Sequence, residues 1–177
     1  MCNSCRRGES IVVPYSREQI DKMLATLDDW RAREHAVTSS LFAYQFVDDV
    51  AREMMRHGFS RRLADLQHCL DRIFEILPPD AKEPTRRALQ DATAFLQAFV
   101  INTFGAIDNL AWVWAKEARV PEDANGTPLR RGRIGLTPDH KILRRSLSDA
   151  TQKYLKGTDA WFGYLKEYRH ALGSVLN

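Results

Sequence analysis

With 177 residues, 44% hydrophobic and 28% charged, the chain has the size and composition of one globular domain. Three cysteines do not suggest a disulfide framework, and a net charge of +3 is too small to argue for a nucleic-acid partner by itself. The opening run Met1-Cys2-Asn3-Ser4-Cys5-Arg6-Arg7 has charge but no apolar stretch behind it, so no secretory signal is expected and the cytoplasm is the expected compartment.

Residues 1–15 read as an irregular leader ahead of a helical domain over 16–177. Ser16 with Gln19 forms a capping box, which starts a first helix whose apolar stripe is Ile20, Met23, Leu24, Leu27 and Trp30. A second helix is expected from about His35 to His57, with Gly58 as its C-cap. A third starts at Ser60 and carries Leu63, Leu66, Leu70, Ile73, Phe74 and Leu77 until Pro78-Pro79-Asp80 ends it.

The fourth helix, Pro84 to Ala118, organises the rest. Ala94–Trp114 is apolar almost all the way round, which suits either a membrane span or the central rod of a bundle. Asn102, Asp108 and Asn109 interrupt the run, so the buried rod is expected and no membrane partner. Asn102 and Asn109 share the side of Phe95, Ala106 and Val113, and Asp108 points towards the side of Ile101 and Trp112. These are the structural polar residues, each needing a hydrogen-bonding partner once buried. Gly105 between them admits a close neighbour.

Val120–Thr137 has no hydrophobic period and reads as a long exposed loop. A fifth helix is expected from Thr137 to Gly157 and a sixth, capped by Thr158-Asp159, to the end. On the sixth, Trp161, Leu165, Tyr168, Leu172 and Leu176 form the expected buried stripe, with Arg169 at its edge and His170 nearly opposite. No segment reads as a strand. The expected fold is an all-α, single-domain bundle of five to six helices around one long central helix.

The charge is unevenly spread. Residues 119–157 hold nine Lys or Arg against four acids, a net +5 that leaves −2 for the rest. Within it, Arg130, Arg131, Arg133, Arg144 and Arg145 are the candidates for contacting RNA phosphates, although the segment lacks a pattern of aromatic rings for base stacking. Cys2 and Cys5 make a C-x2-C pair, but the adjacent His68 and Cys69 on a helix point about 100° apart, so no metal site is expected. Cys69 suits a small core position and His68 the surface. No phosphate-binding Gly-rich loop, H-E-x-x-H or G-x-S-x-G occurs, and no cofactor is implied.

A long helix ending in Asp108-Asn109-Leu110-Ala111-Trp112, followed by a last helix carrying Tyr168-Arg169-His170-Ala171-Leu172, resembles the HEPN superfamily of small bacterial helical proteins. The resemblance covers Ala94–Ala118 and Trp161–Leu172 best. It implies a bundle of about five helices, often dimeric, associated with RNA cleavage and toxin–antitoxin pairs, with a metal-independent ribonuclease site built from R-x4–6-H. Arg169 matches the arginine of that motif. Positions 174, 175 and 176 hold Ser174, Val175 and Leu176 where the histidine belongs, and His170 directly follows the arginine.

The resemblance gives Arg169 and His170 as catalytic candidates, and three functional expectations stand, the third of a different class and independent of the resemblance. The first is a relative that binds RNA or a partner protein with an impaired ribonuclease site. The second is an active endoribonuclease or toxin whose base is His170 or His140, with a cognate antitoxin as partner. The third is a structural module that self-associates as a homodimer, with Arg169 and Asp108 as an internal ion pair.

Overall fold

A computed structural model describes residues 15–174, with side chains through Ala171. Helix α1 spans Arg17–Ala43. Both capping-box bonds are made: Gln19 N–H donates to Ser16 Oγ at 3.3 Å, and Ser16 N–H donates to Gln19 Oε1 at 2.8 Å. The expected break before His35 does not occur, because Arg31-Ala32-Arg33-Glu34 are strong helix formers with no Gly or Pro among them.

The chain breaks instead at Tyr44–Asp48, for a tertiary reason. Glu117, from the far end of the long helix, accepts from the backbone N–H groups of Val47 (2.9 Å) and Asp48 (3.0 Å). Asp48 then caps the next helix by accepting from Ala51 N–H at 2.9 Å.

Helix α2, Asp49–Glu53, runs into a π-helical segment, Met54–Phe59, and on into α3, Ser60–Ile76, without a stop. Gly58 is therefore no C-cap. It lies inside the π segment, where a Cβ would stand 2.7 Å from Asn109 Nδ2 on the crossing helix. The lack of a side chain is what lets Asn109 approach.

Helix α4, Arg86–Glu117, has 32 residues and starts at Thr85, whose hydroxyl accepts from Ala88 N–H at 3.1 Å. At about 1.5 Å per residue it is about 48 Å long. It separates two cores. Ala106 and Val113 pack with Ala51, Met55, Phe59, Leu63 and Leu66 of α2 to α3, while Ala111 and Ala115 pack with Val120, Leu129 and Leu143 beyond it. One helix is thus shared by both cores, as a central rod should be. It is not buried on every side: Ile101 is 53% exposed.

The loop after α4 folds on its carboxylates. Asp123 accepts from Asn125 and Thr127 backbone N–H groups at 2.9 and 3.2 Å. A 3-10 turn at Arg131–Arg133 leads to α5, Lys141–Arg145, and α6, Asp149–Gly157. These replace the single fifth helix expected from Thr137. Ser146 ends α5, its hydroxyl donating to Leu143 O at 2.7 Å and accepting from Trp114 Nε1 at 2.9 Å, and Ser148 caps α6.

The last helix, α7, spans Asp159–Ser174. Its buried face is shifted from the expected one. Leu165 is buried as expected, but with Phe162, whereas Trp161 and Tyr168 are exposed, and the side chains of Leu172 and Leu176 lie outside those described. Among the described residues there is no strand, only an isolated bridge between Pro121 and Pro128. No helix there is long and apolar enough to cross a membrane. The fold is an all-α bundle around one long helix. Cys2 and Cys5 lie outside the described residues.

Candidate functional site: a cationic cluster around Asp108

Two helices and one loop bring polar and charged side chains to the middle of α4. Arg62 of α3 shares a helix face with Phe59, Leu66 and Cys69, so its stem is drawn against α4. There its guanidinium lies across Gly105, where a Cβ would collide with it, and Nη1 donates to Asn102 Oδ1 at 2.9 Å. Arg62 Nε is buried without a hydrogen-bond partner. Asn102 and Gly105 are one helical turn apart, so together they form the seat for this one arginine.

Arg169 of α7 stands over the ring of Phe104, 5.0 Å from its centroid. This contact follows from the face that α7 buries, since Phe162, Leu165 and Arg169 repeat at i, i+3 and i+7. Phe104 is itself buried. Asp108 lies one turn further along α4.

His140 completes the set from the loop before α5. Its ring packs on buried Gly135, where a Cβ would come within 2.5 Å of Cε1, and its Nδ1 shares a hydrogen bond of 2.8 Å with Thr137 Oγ1. The outer part of the ring lines a hollow of about 420 Å³ with Gly132, Arg133, Asp139 and Lys141.

Asp108 feels all three side chains. It is partly exposed, yet the surrounding elements strip enough water from the carboxyl to push its pKa above the ordinary value, against the opposing pull of Arg169, then His140, then Arg62. Among the described residues it makes no hydrogen bond and no ion pair at contact distance. The ion pair expected between Arg169 and Asp108 is therefore a longer-range interaction, with Phe104 taking the direct contact.

The arrangement can do two things chemically. Two guanidiniums and an imidazole offer donors to an anionic oxygen, and a carboxylate of raised pKa beside an imidazole supplies groups suited to proton transfer.

The sequence-derived candidates divide accordingly. Asn102 binds a neighbouring helix through Arg62, and Asn109 packs on Gly58. Asp108 and Arg169 meet at the cluster. His170 is exposed, about 100° around α7 from Arg169, and stands apart from it.

Among the five loop and α5 arginines, Arg130 grips Glu122 through Nε and Nη2, holding the Glu122 carboxyl at about 2. Arg133 also faces Glu122, at 3.6 Å. Arg144 donates to Leu136 O at 2.9 Å, to Leu155 O at 3.2 Å and to Asp159 at 2.5 Å, knitting α5 to α6 and α7. Arg131 and Arg145 are exposed and make no ion pair among the described residues. Cys69 is buried, which raises its thiol pKa, and His68 is exposed.

Arg62 was absent from the sequence-derived set. Its signal was a cation on an otherwise apolar α3 stripe, opposite an Asn102–Gly105 pair on α4. Neither half of that signal means anything until the two helices are seen to cross.

Compared with protein-family models, curated proteins and solved structures, the chain matches none of them.

Proposed function

We propose that this chain is a HEPN-like RNA-binding protein that holds a phosphodiester at the cluster formed by Arg62, Arg169 and His140, with an impaired ribonuclease site. The observation that carries the reading is the convergence of two guanidiniums and an imidazole, from α3, α7 and the loop before α5, on one partly exposed stretch of α4. Guanidinium groups suit phosphate because their planar donors match its oxygens. Arg131 and Arg145, free of ion pairs among the described residues, extend the footprint electrostatically.

A second reading, metal-independent cleavage, is favoured by one specific feature. His140 acts electrostatically on Asp108 beside Arg169, so an acid–base pair can come from outside the last helix, where His170 stands apart. Cognate antitoxin binding and homodimer formation belong to the same family reading and have no separate support in the geometry.

Incubation of labelled single-stranded RNA with the protein in EDTA, beside Arg169→Ala and His140→Ala, separates the two readings. Retention of intact RNA that Arg169→Ala releases supports binding. Cutting that both substitutions abolish supports catalysis. RNA left unbound and uncut by the wild-type chain removes both.

A further inference from the structure

The exposed side of α7 carries the rings that the basic segment lacks. Trp161, Tyr164 and Tyr168 are 47%, 72% and 52% exposed. They repeat at i, i+3 and i+7, the same spacing as Phe162, Leu165 and Arg169 but one residue earlier, so they occupy a face about 100° around the helix from the buried one. Seven residues of α-helix rise about 10 Å, roughly the length of three stacked nucleotides at about 3.4 Å each. Helix α6 adds Tyr154, 70% exposed, in a shallow hollow of about 560 Å³ that it shares with Lys153, Gly157 and Thr158.

The nearby charges bear on the occupant. Lys153 shares the hollow of Tyr154 and Arg169 follows Tyr168 in the chain, and among the described residues neither makes an ion pair at contact distance. Lys166 faces Asp139 at 3.8 Å, and exposed Glu167 is the acid on the other flank of the rings. The core of a protein interface is depleted of charge, and a two-fold contact through this face would bring like cations from both copies together. A polyanion that also carries flat aromatic groups meets both features at once: its backbone answers the cations and its bases answer the rings.

We propose that the Trp161–Tyr164–Tyr168 face of α7 is a base-stacking platform for single-stranded RNA, adjoining the phosphate contact at Arg169. The inference rests on the RNA-binding reading of that cluster and adds its substrate class, unpaired rather than duplex strands. In a duplex the base faces are already stacked on one another and unavailable to the tyrosines.

The test compares a single-stranded oligoribonucleotide of about twelve nucleotides, an abasic chain of equal length and charge, and the corresponding duplex, each titrated with the full chain. Stacking predicts that the single strand binds at least about tenfold tighter than the abasic chain. Tyr164→Leu and Tyr168→Leu, which keep the surface apolar, should each weaken single-strand binding by about fivefold or more, leave abasic binding unchanged, and be rescued by Phe at the same position. Abasic and natural strands bound equally, or Leu variants that bind as wild type, would overturn the platform while leaving the phosphate contact standing. Failure of every strand to bind overturns both. If the Leu variants leave RNA binding intact but abolish a wild-type dimer in sedimentation, the face belongs to a second copy of the chain and the inference is wrong.

Discussion

Arg169 lies over the ring of Phe104 rather than against the carboxylate of Asp108 one turn away. The distinction decides what its removal does. Breaking a buried ion pair costs about 3–5 kcal/mol, whereas an exposed cation–π contact is worth about 0.5–1 kcal/mol. Arg169→Ala should therefore lower Tm by only a few degrees in a thermal melt while weakening RNA binding. A collapse of the fold would mean that Arg169 is a structural strut.

Asp108→Asn tests the cluster from the other side. Burial raises the folded-state pKa of Asp108 above 3.8, so the ionised carboxyl opposes folding once pH exceeds that raised value. Below 3.8 both states are protonated and the penalty vanishes. The variant should melt above wild type near neutral pH, and the gap should close as pH falls towards 3.8. It should also bind RNA more tightly, since a negative charge has left the site. A gap that widens on acidification would contradict the assignment.

The π segment predicts a coupling. Gly58→Ala places a methyl group against Asn109 and should destabilise the protein by about 1–3 kcal/mol. Asn109→Ala removes the obstacle. In a denaturant double-mutant cycle the two changes together should therefore cost less than their sum. Additive costs would show that Gly58 serves some purpose other than the approach of Asn109.

Neighbouring arginines should behave oppositely. Arg144 ties α5 to the preceding loop through Leu136 O, to α6 through Leu155 O and to α7 through Asp159, and its side chain is only 14% exposed. Arg144→Ala should cost about 2–4 kcal/mol, measured by chemical denaturation, because it leaves those acceptors unpaired. Arg145→Ala should leave stability within about 0.5 kcal/mol of wild type and lower RNA affinity modestly in a titration. Equal stability losses would remove the distinction.

How far the fold could be read from the residues depended on how local each cause was. The capping box at Ser16–Gln19, the long helix ending near Ala118 and the stop at Gly157 all rest on neighbouring residues, and each stands as expected. The break at Tyr44–Asp48 is enforced by Glu117, some seventy positions away, so the apolar stripe ran through it unmarked. Gly58 looked like a helix stop because its partner, Asn109, sits on another helix. The α7 face was ambiguous by periodicity: Trp161/Tyr168 and Phe162/Leu165 are competing stripes one residue apart, and the contact of Arg169 with Phe104 accompanies the second. The site was half legible. Arg169 and Asp108 stood out as charges among apolar residues, while Arg62 needed the crossing of α3 and α4.

The proposed contact of Arg169 with a phosphodiester is measured by titrating a labelled single-stranded RNA with wild type and Arg169→Ala over a range of salt concentrations. Each phosphate contact contributes about 0.7 to the slope of log affinity against log salt for single strands. A wild-type chain that binds with a salt-dependent affinity, and a folded Arg169→Ala variant whose affinity drops and whose slope shrinks by about 0.7, is the predicted result. Identical affinities and slopes for the two proteins would contradict it.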